Sequence, residues 1–142
     1  NYGANYKKRV EEVIRMALIY ASGFATLVFL LIYFFSNSIA GIFTDNPIVL
    51  EKAPTAIRWV FAATPIVGVQ LIGAAYYQAI GKAIPALLLT LTRQGFFFIP
   101  LLYFFPKFMG INGVWLAFPV AESLASLFTG SFLIYELKKY LK

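Results

Sequence analysis

Cysteine and histidine are both absent from this 142-residue chain. Without them the sequence offers no disulfide, no thiolate nucleophile, no zinc site and no histidine acid–base catalysis. We therefore expect no enzyme activity, no bound metal and no cofactor. Charged residues are also scarce, at 13% of the chain, whereas soluble domains average about 25%.

Apolar residues make up 61% of the chain and are concentrated in long runs. Each run is near the ~20 residues that a helix needs to cross a ~30 Å hydrocarbon core. The sequence therefore predicts an all-α membrane protein with four transmembrane helices, A to D, at about 15–35, 57–80, 84–105 and 113–135. Between A and B, Asn46 and Pro47 have the residue types of a helix cap and a first helical residue, which predicts a short interfacial helix.

Basic residues lie at the ends of the apolar runs and give a net charge of +6. We interpret them by the positive-inside rule rather than as a nucleic-acid surface. The bias predicts a multi-pass protein of the cell membrane with both termini and the B–C turn in the cytoplasm. The cations concerned are Lys7, Lys8, Arg9, Lys82, Lys138, Lys139 and Lys142.

Two lone charges, Arg93 and Glu122, interrupt the apolar runs of helices C and D. A charge at the bilayer centre is costly, so it persists when it is paired, hydrated or functional. Arg93 lies about 15 residues before the C–D loop and Glu122 about 14 residues after it, which puts both roughly 21–22 Å from the turn. Antiparallel neighbours would thus bring the two charges to the same depth.

Other polar residues extend this pair into a possible cavity. Helix D places Ser126 one turn after Glu122, helix B carries Gln70 and Tyr77, and Gln94 follows Arg93. One interpretation is a substrate or ion cavity between the helices; the other is a structural ion pair that fixes helix C against helix D. Small residues repeat every four positions in helix D, which predicts a close-packed face. They are Gly113, Ala117, Ala121 and Ala125.

Several ordered segments resemble multidrug and toxic compound extrusion (MATE) transporters. The resemblance covers essentially the whole chain. It rests on Asn1-Tyr2-Gly3-Ala4 with Lys8-Arg9-Val10, Ile42-Phe43-Thr44-Asp45, Tyr77-Gln78-Ala79-Ile80-Gly81-Lys82, and Arg93-Gln94 with Pro100 and the acid Glu122.

The resemblance implies that residues 1–142 form the C-terminal part of the C-lobe, helices 9–12 of a twelve-helix, two-lobe transporter. Such a protein would export organic cations and other amphipathic compounds in exchange for Na⁺ or H⁺. Its implied partners are the preceding helices of the same transporter, membrane lipid and small amphipathic or cationic substrates, with no nucleic acid. Some branches of the family carry an acidic cation ligand in the tenth helix, but Ile57 to Ile80 contains no Asp or Glu.

Two alternatives stay open. A flippase for lipid-linked oligosaccharides from the same superfamily would need more deep cations than Arg93 to hold a pyrophosphate. A self-contained small four-helix multidrug transporter would need its acid in the first helix, and helix A has none between Ile14 and Phe35. The chain also opens without an initiator methionine, so we expect a segment of a longer protein.

Overall fold

The computed structural model describes residues 1–141, and within them the regular structure is helical. Lys142, counted above among the cytoplasmic cations, lies outside the described residues. A π-helical segment at Thr92–Phe98 joins the fourth and fifth helices. The α-helices are α1 (Lys7–Phe43), α2 (Pro47–Val60), α3 (Thr64–Ala79), α4 (Ala83–Leu91), α5 (Ile99–Met109) and α6 (Ile111–Leu141).

Three stretches of the described chain are long and apolar enough to cross a membrane. They are α1 with 37 residues, the continuous stretch from α4 to α5 with 27, and α6 with 31. The pair α2 and α3 qualifies as a fourth span if it is counted together across its 44° bend. The all-α membrane fold predicted from the sequence is therefore confirmed.

The predicted helix A lies inside α1, which is longer at both ends. At Phe35, the expected end of helix A, the backbone leaves helical geometry (φ −100°, ψ 15°) and then resumes it. Arg58 reaches this kink from α2 and donates from Nε to the Tyr33 carbonyl at 3.2 Å and to the Ser36 hydroxyl at 2.9 Å. A side chain inserted at a helix break is a recognised cause of a kink.

The prediction of helix B as one continuous helix is wrong, because the chain bends between α2 and α3. Pro65 stands in the first turn of α3 and has no amide hydrogen to donate to the carbonyl of Phe61. The short helix before the bend is present as α2. Its Asn46 side chain accepts a hydrogen bond from the Ile48 amide at 3.0 Å, with Pro47 in the first turn, as predicted.

Helix α3 packs between α1 and α6, and glycines permit both contacts. A Cβ atom at Gly68 would lie 3.0 Å from the backbone nitrogen of Ser22 on α1, and one at Gly73 would collide with the methyl group of Thr129 on α6. The predicted close-packed face of helix D is confirmed, since all four of its small residues are buried in α6. This packing sets the depth at which α3 and α6 present their polar residues.

Candidate functional site

Glu122 stands at the centre of a polar cluster in the middle of α6. Its side chain keeps only 15% of its surface exposed. Ser126 and Thr129 follow on the same face, and both are buried against α3. The spacing of these residues thus directs one polar stripe of α6 into the protein.

Arg93 pairs with Glu122 across the interface between the π-helical segment and α6. Its Nε and Nη2 atoms lie 2.7 and 2.6 Å from the same carboxylate oxygen, Oε1. The two charges therefore meet at the matching depth expected from the sequence. Hydrogen bonds between charged partners at such distances are among the stronger ones in proteins.

Gln70 of α3 completes the coordination of the carboxylate from the other side. Its Nε2 atom lies 3.0 Å from Glu122 Oε2, 2.9 Å from the Glu122 carbonyl and 2.8 Å from the Ser126 hydroxyl. Ser126 in turn donates to the carbonyl of Ile66 at 3.1 Å. One amide group thus holds α3 against α6, and each carboxylate oxygen of Glu122 has a partner.

The π-helical segment that carries Arg93 was not foreseen from the sequence. A π-helix closes i→i+5 hydrogen bonds and is wider than an α-helix, and such segments recur at functional sites. Two local residues offer a signal: Pro100 can donate no amide hydrogen, and Gly95 adds conformational freedom within the segment. The segment presents Arg93 and Gln94 on consecutive positions.

The structure brings together four of the six residues proposed for a substrate or ion cavity: Arg93, Glu122, Gln70 and Ser126. Gln94 is exposed beside them. Tyr77 lies apart: it is buried about two helical turns from Gln70, and its hydroxyl donates to the Phe132 carbonyl at 3.3 Å.

Two cavities border the π-helical segment, and one of them includes the ion pair. A small one of about 130 Å³ is lined by Arg93, Gln94, Phe98, Phe118, Ala121 and Glu122. The rings of Phe98 and Phe118 meet there at 4.6 Å between centroids. A larger one of about 340 Å³ is almost wholly apolar and is lined by Pro85, Leu88, Leu89, Thr92, Phe96, Phe97, Phe128 and Phe132. The polar cluster thus adjoins aromatic surface suited to amphipathic molecules.

A second ion pair, also missed in the sequence analysis, joins Lys82 to Glu136 near the end of α6. Lys82 follows Gly81, whose φ of +77° lets the chain reverse between α3 and α4. The hydrogen bond that the Lys82 ammonium donates to the Glu136 carboxylate raises the pKa of Lys82. Glu136 could have been found as an acid that follows the last apolar run of helix D.

No group of three or more Asp, Glu, His or Cys side chains within residues 1–141 lies close enough together to hold a metal ion.

Comparison with known proteins places this arrangement in a family. The model of the MatE family matches residues 1–104. The chain belongs to the MATE family. The family resemblance stated from the sequence is thus confirmed, and members of this family are transporters.

Curated relatives of this MATE chain include exporters. Over 127 residues it is 26% identical to the FAD transporter of Shewanella oneidensis and 24% identical to the multidrug export protein MepA of Staphylococcus aureus strain N315. Both alignments cover 89% of the chain and 28% of the relative. The chain therefore spans little more than a quarter of the length of these relatives.

Solved structures share the fold. A chain named protein A superposes with a TM-score of 0.88 at 33% identity, covering 99% of this chain and 31% of that one. The Vibrio cholerae MATE transporter VcmN in the bent form superposes with a TM-score of 0.83 at 22% identity, covering 99% of this chain and 33% of VcmN. The helix arrangement described above is thus that of part of a MATE transporter.

Proposed function

We propose that this chain is part of the C-lobe of an ion-coupled efflux antiporter that exports multidrug and organic-cation substrates in exchange for Na⁺ or H⁺. The observation that carries the proposal is the Glu122 carboxylate, held at mid-depth between Arg93 and Gln70. Similarity to the multidrug export protein MepA supports the substrate class. In this proposal the protein is not an enzyme and needs no cofactor.

Glu122 suits such a role because its partners can be exchanged. A proton or Na⁺ that binds the carboxylate would neutralise it and weaken its attraction to Arg93, whose side chain is 39% exposed. A cationic substrate would compete for the same charge. Binding at one position would then be linked to the release of the other ligand, as antiport requires.

The apolar cavity of about 340 Å³ between α4, the π-helical segment and α6 offers apolar surface to an amphipathic substrate. Its volume lies within the range of small-molecule sites. Phe128 and Phe132, whose rings line this cavity, lie on α6 two and six residues after Ser126. The remaining helices of the transporter, membrane lipid and small amphipathic or cationic compounds are the partners in this proposal.

The basic residues at the ends of the apolar runs support, by the positive-inside rule, a cell-membrane protein with both termini in the cytoplasm.

Among alternatives, similarity to the FAD transporter favours a flavin nucleotide as a second candidate substrate. The flippase is a weaker candidate: Arg93 is the cation that stands in the polar cluster at mid-span, and Glu122 already engages it. The family match favours a large transporter over a small four-helix one.

The test is ethidium efflux from cells that make the full-length protein, with and without a Na⁺ or proton gradient. We expect gradient-dependent efflux, and we expect Glu122→Gln to abolish it at unchanged expression. Glu11→Gln, a change at an exposed acid on α1, is the matched control. If wild-type cells retain the dye equally with and without a gradient, the proposal is refuted. Reduced expression of Glu122→Gln would indicate that the ion pair is structural.

A further inference from the structure

Arg58, at the junction of α1 and α2, uses only one of its three guanidinium nitrogens within residues 1–141. Its Nε atom donates to the Tyr33 carbonyl and the Ser36 hydroxyl at the kink of α1, and neither Nη atom donates to a described residue. No carboxylate of the described residues lies within ion-pair distance of it. Since each Nη atom carries two N–H groups, a permanent cation with four unused donors remains here.

The position of this guanidinium is fixed by contacts on two sides. Its Cζ atom lies 5.1 Å from the centre of the Tyr33 ring, within the range of a cation–π interaction. Arg58 also stands in the last turn of α2, where the helix dipole favours a cation. Together with the two hydrogen bonds from Nε, these contacts hold the group in one place. The unused donors are therefore preorganised for an acceptor.

Arg58 lines a cavity of about 310 Å³ between α1 and α2. The volume falls at the low end of small-molecule sites. The polar side chains on its wall are Arg58 and Thr55, and the other walls are largely aromatic or apolar. The full lining is Phe29, Tyr33, Thr55, Arg58, Trp59 and Ala62. The cavity therefore suits an anionic group that is attached to an apolar body.

The depth of this cavity in the membrane matches that of lipid headgroups. Tyr33 and Trp59 are exposed amphipathic rings, which favour the membrane–water interface. Phe29 lies one turn nearer the middle of the spanning helix α1 than Tyr33, so the cavity extends from the headgroup level towards the hydrocarbon. A phospholipid has the same order of polarity, with its phosphate at the interface and its acyl chains below.

We propose that the cavity formed by Arg58, Thr55, Trp59, Tyr33 and Phe29 binds the phosphate of an anionic phospholipid, with the start of an acyl chain against Phe29. Arginine binds phosphate through parallel hydrogen bonds, and basic pockets between membrane helices bind anionic headgroups. The site is separate from the polar cluster around Glu122 and does not depend on the export function. Because the same guanidinium holds the kink of α1, the bound lipid also stabilises the junction of α1 and α2.

Phosphatidylglycerol and phosphatidylcholine with identical acyl chains make a matched pair of probes. Both contain a phosphate, but the choline ammonium offsets its charge and is repelled by Arg58. Native mass spectrometry of the purified full-length protein in detergent measures the affinity for each lipid. We expect phosphatidylglycerol to bind about tenfold more tightly, the effect of one hydrogen bond between charged partners.

Arg58→Gln should abolish this preference. Lys52→Gln is the matched control, because it removes the same charge from an exposed position of α2 outside the cavity. Thr55→Trp should also abolish the preference by filling the cavity, and it leaves the bonds of Arg58 to α1 in place, so it decides the matter if Arg58→Gln does not fold. Ser36→Ala removes a bond at the kink and should keep the preference.

Three results would overturn the proposal. Equal binding of the two lipids to the wild-type protein would show that another part of the transporter covers the cavity or that the cavity does not select a lipid. An equal effect of Lys52→Gln and Arg58→Gln would show that overall charge alone attracts the anionic lipid. Displacement of phosphatidylglycerol by inorganic phosphate would show that the site takes a free anion rather than a lipid.

Discussion

Replacing Arg93 should destabilise the protein more than replacing its ion-pair partner Glu122. The Glu122 side chain is 15% exposed and that of Arg93 39% exposed. Arg93→Met leaves a carboxylate in the protein interior, which should cost about 3 kcal/mol, the low end for breaking a buried pair, because Gln70 still donates to it. Glu122→Gln leaves a guanidinium that is 39% exposed in the described part of the chain and should cost about 1.5 kcal/mol, the value of a hydrogen bond to a charged group.

The double variant tests whether the two side chains interact with each other. Arg93→Met combined with Glu122→Gln removes both charges, so its cost should fall short of the sum of the single costs by about 1–2 kcal/mol. The assay is equilibrium unfolding of the purified full-length protein by SDS in mixed micelles, with Glu11→Gln as control. A larger cost for Glu122→Gln than for Arg93→Met, or additive costs, would refute the assigned burial and pairing.

Two further predictions concern other contacts of α3 and α6. Gly73→Ala should cost about 1–3 kcal/mol of unfolding free energy in the same assay, because its Cβ overlaps the Thr129 methyl group, and Thr129→Ser should restore much of it by removing that methyl; no rescue would refute the contact. The Lys82–Glu136 hydrogen bond raises the pKa of Lys82 above its ordinary value of 10.5. The pair should therefore stabilise the folded protein fully below pH 10.5, and this contribution should be lost as the pH rises through the raised pKa. Lys82→Met should therefore lower the unfolding midpoint at pH 8, with a smaller difference from wild type at pH 12, and a pH-independent difference would contradict the pair.

The spanning helices were predictable because their signal is composition over some 20 residues, which tertiary contacts do not override. The ends of the helices were less predictable. The sequence predicts that helix A ends at Phe35, and the backbone is distorted there. However, Arg58 binds both sides of this kink and the helix resumes after it. That bond joins residues far apart in sequence. The break of helix B next to Pro65 could not be predicted from the sequence, since proline bends some membrane helices and ends others.

The candidate site was predictable where helix periodicity alone decides direction. Depth and antiparallel pairing sufficed to bring Arg93 to Glu122, and the spacing i, i+4 placed Ser126 beside it. Tyr77 lies outside the cluster because a position seven residues from Gln70 shares its helix face but lies about 10 Å away along the helix axis. The π-helical segment was missed because its cause, an altered hydrogen-bond register before Pro100, has no periodic signature.

The close packing of α3 and the polar cluster depend on each other. One nitrogen of the Gln70 side chain reaches both a carbonyl and a hydroxyl on α6. That reach requires backbones close together, and Gly73 provides the closeness by leaving room for Thr129 one turn further on. A larger residue at position 73 would separate the helices and withdraw Gln70 from Glu122. Loss of packing and loss of the carboxylate's second partner should therefore occur together, so Gly73, which has no polar side chain, decides whether Gln70 can reach Glu122.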